Sequence, residues 1–310
     1  MSEFTDHLKK DMRLLTSDSL FVILLVVIAV IAFISAFTAA SSYVSSTWGW
    51  QQFVTRHMIE NNQLSALNDY WQSVNSIYAV IFLVISSMAL TAEKESGMVR
   101  YILTFKTSKR DFYLSKYLVL LGICGYAVFV SLIAYIIVFS AMDISLLNAG
   151  IMISSVIFPF LTVLVFASIG LAISALTQKK GATIAIAVVL FFIISIMFSV
   201  SLNLGTSAAD QVNPHSTSAN ITQSMPIIYK LLIYANPIVL YYGAGQALGS
   251  ASGYDSGGTA LFDMWGGVIL GLIMMFVYLM LGMILFSRER TERGLFNDLK
   301  GRLRRKNGPW

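Results

Sequence analysis

Charged residues are scarce in this chain, at 12% of 310 positions, where a soluble globular domain carries roughly 25%. An ordinary water-soluble enzyme is thereby excluded. Cysteine occurs once, as Cys124, so no intrachain disulfide can form, and a buried packing role is expected. The three histidines, His7, His57 and His215, stand apart from one another and from any cysteine or acid pair, which argues against a metal site. No Gly-x-x-x-x-Gly-Lys-[Ser/Thr] loop occurs, so the chain does not bind and hydrolyse ATP by that route. The long apolar runs carry no acid, histidine or lysine at their centres, which disfavours a proton relay or a membrane-embedded hydrolase. The chain is not expected to be an enzyme by itself.

What is abundant is apolar surface. Hydrophobic residues make up 56% of the chain and the mean hydropathy is +0.73. Six runs, at 20–40, 74–92, 117–141, 151–176, 183–204 and 264–286, approach the ~20 residues that cross about 30 Å of hydrocarbon as a helix. Short segments of alternating polarity, the mark of a membrane β-barrel, are missing. The expected fold is an all-α polytopic membrane protein in one domain. Its first span is too long for a cleavable signal and doubles as the targeting signal.

Basic residues set the orientation, because they are retained on the cytoplasmic side. With six spans, all of the 21 lysines and arginines except Arg56 and Lys230 fall on one face. That face is assigned to the cytoplasm of a plasma-membrane protein, with both termini inside. Residues 1–19 carry Phe4, Leu8, Met12 and Leu15 on one helical face and basic residues elsewhere, the pattern of an amphipathic helix lying on the membrane surface. The tail at 287–310 is strongly basic, and its run at 302–306 suits lipid headgroups rather than nucleic acid. The aromatics of the first outer loop, among them Tyr43, Trp48, Trp50, Phe53, Tyr70 and Trp71, are expected to form an interfacial belt. Pro159 should kink the fourth span.

Residues 205–263 break the pattern. The stretch from Met225 to Leu248 is nearly long enough to span, but a seventh crossing would carry the basic tail outside. Asn236-Pro237 interrupts it, since the residue before proline resists the helical region. Two short helices that enter the outer leaflet and return are expected here.

The most polar stretch within the apolar part is the island at 93–116. Met98, Tyr101, Ile102 and Phe105 recur at helical spacing, predicting a short helix with one apolar face. Glu93 and Glu95 lie towards its N-terminal end, where the helix dipole favours acids. Ser108 with Asp111 three residues on has capping-box spacing and should start the helix of the third span.

Glu95-Ser-Gly97, then Arg100-Tyr-Ile-Leu103, Thr107-Ser-Lys109-Arg110 and finally Lys116 resemble the permeases of the ABC type-2 exporter family. Two departures stand out: Lys106 replaces the family's proline, and Ser115 the glycine before Lys116. The resemblance implies that the island is a coupling helix contacting a separate cytoplasmic nucleotide-binding ATPase subunit. The contact would run through Glu93, Glu95, Gly97, Met98, Arg100, Tyr101, Ile102, Phe105, Lys109 and Arg110. ATP and magnesium would be bound by that subunit, and this chain itself would hold no cofactor. A second permease chain would complete the pore, in contact with membrane lipid. Asn75, Tyr78, Phe192, Ser195 and Phe198 would line the substrate path, and Asn236 and Pro237 would belong to an outer gate. The uncharged spans suit an apolar or amphiphilic cargo. A six-span channel or ATP-independent carrier is the alternative.

Overall fold

The computed structural model describes residues 19–47, 56–97, 99, 108–212, 225–251 and 261–306. Its regular elements there are all helical. In chain order they are α1 (Ser19–Thr47), α2 (Arg56–Glu95), α3 (Lys109–Ala141), α4 (Ala149–Ser155), α5 (Ile157–Leu176), α6 (Lys180–Val212), α7 (Ile227–Tyr234), α8 (Ile238–Tyr242), α9 (Ala244–Ala251) and α10 (Met264–Lys306). Six stretches are long and apolar enough to cross a membrane: Val22–Ser46, Met58–Glu95, Lys109–Ala141, Ala149–Leu176, Lys180–Ala209 and Met264–Arg288. The amphipathic helix expected at 1–19 has its apolar positions outside the described residues, as do Trp48, Trp50 and Phe53.

α5 is the axis of the bundle. It is apolar on every side, and from Phe158 to Ala175 each residue except the partly buried Phe160 is buried. α2 and α10 pack against its length, and α3 closes a further side. At Gly170 the α2–α5 contact is so close that an added Cβ would run into the Ser86 side chain and the Leu83 carbonyl. Gly267 and Gly271 of α10 play a similar part, facing Phe158 with Phe262 and Leu161 with Leu240. α1, α6 and α10 each leave an apolar face exposed, as lipid-facing or partner-facing helices must.

Two expectations change. α2 begins at Arg56, so most of the polar stretch before residue 74 is helical. Leu64, Leu67, Tyr70, Trp71, Val74, Tyr78 and Phe82 carry one apolar stripe through it at three- and four-residue spacing, and all are buried. Tyr70 and Trp71 are therefore core residues, not members of an interfacial belt. Tyr70 donates to the Ser131 carbonyl at 2.6 Å, and the Trp71 indole donates to Ser155 Oγ at 3.0 Å. Burial of a large ring with a satisfied polar tip outweighs any preference for headgroups. Near Pro159 the fourth span is interrupted one turn earlier, at Val156 between α4 and α5, which leaves the proline in the first turn of α5 where a missing N–H costs least.

Candidate functional site

α2 ends at the island, and the way it ends is specific. Gly97 takes φ +76°, and its N–H donates to the Lys94 carbonyl at 3.1 Å. A left-handed glycine is a favoured way to stop a helix and turn the chain out. On the far side of the island, Ser108 is extended and its Oγ accepts from the Asp111 N–H at 3.1 Å. That is the N-cap the spacing predicts. The island is thus bounded by a C-terminal stop and an N-terminal cap. Met98, Arg100, Tyr101, Ile102 and Phe105 lie outside the described residues, while Val99 is buried in the main core.

The last residues of α2 each reach a different helix. Glu93 pairs with Lys116 of α3 at 2.5 Å, and that ammonium also lies 5.4 Å from the centre of the Phe112 ring. Lys94 donates to the carbonyls of Ser174, Ala175 and Thr177 at 3.1, 2.6 and 3.2 Å, and stands 5.6 Å above the Phe286 ring of α10. Glu95 Oε2 accepts from the Lys180 N–H at 3.3 Å, at the first residue of α6. An acid at a helix N-terminus and a cation at a helix C-terminus are both the favourable sign for the helix dipole. Lys109 adds a bond to the Ser287 carbonyl of α10 at 3.0 Å, and Arg110 is exposed.

One turn deeper, hydroxyls join the same helices. Ser174 Oγ accepts from the Leu90 and Thr91 N–H groups at 2.9 and 3.0 Å. Thr91 Oγ1 lies 3.0 Å from Ser174 Oγ and 3.3 Å from Thr177 Oγ1, and Thr183 of α6 donates to Thr177 Oγ1 at 2.6 Å. Thr91, Ser174 and Thr183 are fully buried. In the sequence Lys94 counts only as one of the basic residues of the inner face. The partners of Lys94 and of the Leu90 N–H are some 80 residues away, a separation that carries no local signal.

The residues assigned to a substrate path differ in their exposure. Asn75, Tyr78 and Phe198 are buried, Ser195 is half-buried, and Phe192 is 59% exposed on an outward face of α6. Tyr78 donates to the Ile28 carbonyl at 3.0 Å and bonds Ser131 Oγ at 2.8 Å, tying α2 to α1 and α3. Phe198 packs edge-on to Tyr242, with ring centres 5.3 Å apart. Asn75 is different: both amide atoms are buried with no hydrogen-bond partner among the described residues.

Asn236 and Pro237 sit at the break between α7 and α8. Asn236 Nδ2 donates to the Ile194 carbonyl at 2.7 Å, and its Oδ1 accepts from the Ile238 N–H at 3.0 Å. Met225 and Tyr229, at the other end of α7, lie against Gly205. Between Gly205 and Ile194, α7 therefore follows α6 for about 16 Å of helix. Ile194 lies midway along the Lys180–Ala209 candidate span. The Tyr234 hydroxyl donates to the Leu261 carbonyl. Burial raises the Tyr234 phenol and pushes that of Tyr241 up to about 12, so both remain protonated at neutral pH.

Among the described residues no group of three or more histidine, cysteine or acidic side chains could hold a metal ion. Residues 6–290 match the family described as ABC-2 family transporter protein. No curated protein matches the chain.

Proposed function

The chain belongs to the ABC-2 family of transporter proteins, and on that premise we propose that it is the permease subunit of an exporter driven by a separate cytoplasmic ATPase. The carrying observation is the island junction. A segment with an apolar face by sequence leaves α2 at Gly97 and returns at Ser108, and the helix ends on both sides are bonded to α5, α6 and α10. A push on the segment would reach most of the bundle. The ATPase subunit docks on that segment, binds ATP and magnesium itself, and biases the permease between two packed states. The family match and the absence of a phosphate loop in this chain support that division of labour.

A second permease chain, identical or homologous, completes the path across the exposed face of α6, where Val189, Phe192, Ile196 and Val200 stand exposed. Phe192 and half-buried Ser195 line the path from that side, and Asn75 serves it in the opened state. The short helices α7 and α8 enter the outer leaflet and turn at Asn236-Pro237, forming the outer gate. Support for that depth comes from the bond between Asn236 and Ile194, midway along a candidate span. Both termini lie in the cytoplasm of a plasma-membrane protein, as the distribution of basic residues favours. The cargo is apolar or amphiphilic, because the faces left open on α6 are uncharged.

Affinity purification of the tagged chain from native membranes tests this. An ATPase carrying a phosphate loop should accompany it, and vesicles holding the complex should move a fluorescent amphiphile in an ATP-dependent way. Recovery of the permease without any ATPase, or selective movement of a small, highly charged solute, would contradict the proposal.

A further inference from the structure

The Lys94 ammonium is well satisfied. It donates to three backbone carbonyls, those of Ser174, Ala175 and Thr177, and lies 5.6 Å from the centre of the Phe286 ring. The carbonyls belong to the end of α5, where a helix has no N–H donors of its own for its last C=O groups. A helix normally meets this need with its own cap or with water; here the cap comes from another helix. Lys94 also stands three residues after the hydroxyl contact at Thr91 and three before the turn at Gly97. It therefore governs the last turn of α2, beyond the reach of the deeper hydroxyls.

We infer that Lys94 is a positioning residue for coupling: it fastens the end of α2, where the island begins, to the buried central helix α5 and to α10. Displacement of the island is then passed to the axis of the bundle, and not only to α2 and α3 that flank it. The inference rests on the coupling reading for its meaning in transport, but the fastening itself is a property of this chain alone. Charge is what the role requires. A methionine would fill the same volume with the same reach, yet it could donate nothing to the three carbonyls. An arginine would keep the positive charge and at least two of the bonds.

The test places spin labels at Ser96→Cys and Leu176→Cys in the full-length chain in lipid nanodiscs. Both positions are exposed, and the natural Cys124 is buried and free. Without nucleotide, the parent and the Lys94→Arg variant should give one narrow distance distribution. Lys94→Met should add a population longer by about 5 Å, one turn of helix released. If Lys94→Met fails to fold, Lys94→Gln, with two donors and no charge, should show an intermediate broadening. A distribution in Lys94→Met or Lys94→Gln as narrow as the parent's would overturn the inference, because packing alone would then suffice. In the complex trapped with ATP and vanadate, the parent distance should stay constant as both ends travel together, and the Lys94→Met distance should lengthen. The nucleotide-free comparison needs no ATPase subunit, so it reads the fastening even where no such subunit accompanies the chain and the coupling reading fails.

Discussion

Asn75 is the residue whose chemistry fits its surroundings least. A buried amide with neither atom bonded costs about 1–3 kcal/mol, and an apolar side chain of the same size removes that cost. Asn75→Leu should therefore raise the stability of the isolated chain by about 1–2 kcal/mol, read as a higher melting temperature in detergent. On the proposal that Asn75 serves the opened path, the same substitution should reduce ATP-dependent transport. A lowered melting temperature would show instead that the amide is already satisfied in the resting state. At this scale the legible features were local ones. Gly97 as a stop and Ser108 as a cap follow from short-range rules of backbone conformation and hydrogen bonding. Cys124 as packing follows from its solitude in an apolar run. The roles of Glu93, Lys94 and Glu95 were hidden, because each depends on a helix end brought near only by the fold. Glu93 and Glu95, expected to face an ATPase subunit, have partners within the chain.

Among the elements, α5 was recognised as a span, but its central place was not. A run that is apolar all round reads the same whether it faces lipid or protein, and only its neighbours decide. Gly170 marks the decision, since α2 comes close enough there to exclude a methyl group. Gly170→Val should cost about 1–3 kcal/mol by overpacking against the Leu83 carbonyl, a backbone atom that cannot rotate away. Denaturant titration in mixed micelles measures it, and an unchanged midpoint would show that the helices separate at little cost. α2 itself was cut short in the sequence reading because Glu60, Asn61, Asn62, Asn68 and Asp69 dilute its first half. The apolar stripe beneath those polar residues was the better guide. For α7 and α8, the break at Asn236-Pro237 was plain from the proline rule, and Asn236→Leu should remove both bonds of that side chain. Amide hydrogen exchange of residues 238–242 should then accelerate at least tenfold, equivalent to about 1.4 kcal/mol of lost protection. Unaltered exchange would mean that packing of Val239 and Leu240 alone holds the hairpin.

For the whole molecule, the distribution of polar groups separates two tasks. The bundle is held at the island end by charged and hydroxyl contacts among α2, α3, α5, α6 and α10. Elsewhere it is held mainly by apolar packing, and α6 and α10 present wide exposed apolar faces. On the proposed function, force enters at the island end and the path opens along the sides. Composition alone gave the membrane class and the number of spans, because hydropathy is a property of each residue. The line between lipid-facing and partner-facing surface depends on a second chain, and so was not legible. The claim that joins these parts is that the island is where an ATPase subunit docks. Size-exclusion analysis of the complex in nanodiscs, comparing the parent with Met98→Glu/Tyr101→Glu, tests it most directly. The account predicts that the double variant keeps the parent's melting temperature but loses the ATPase subunit. Full retention of that subunit by the folded variant would contradict it.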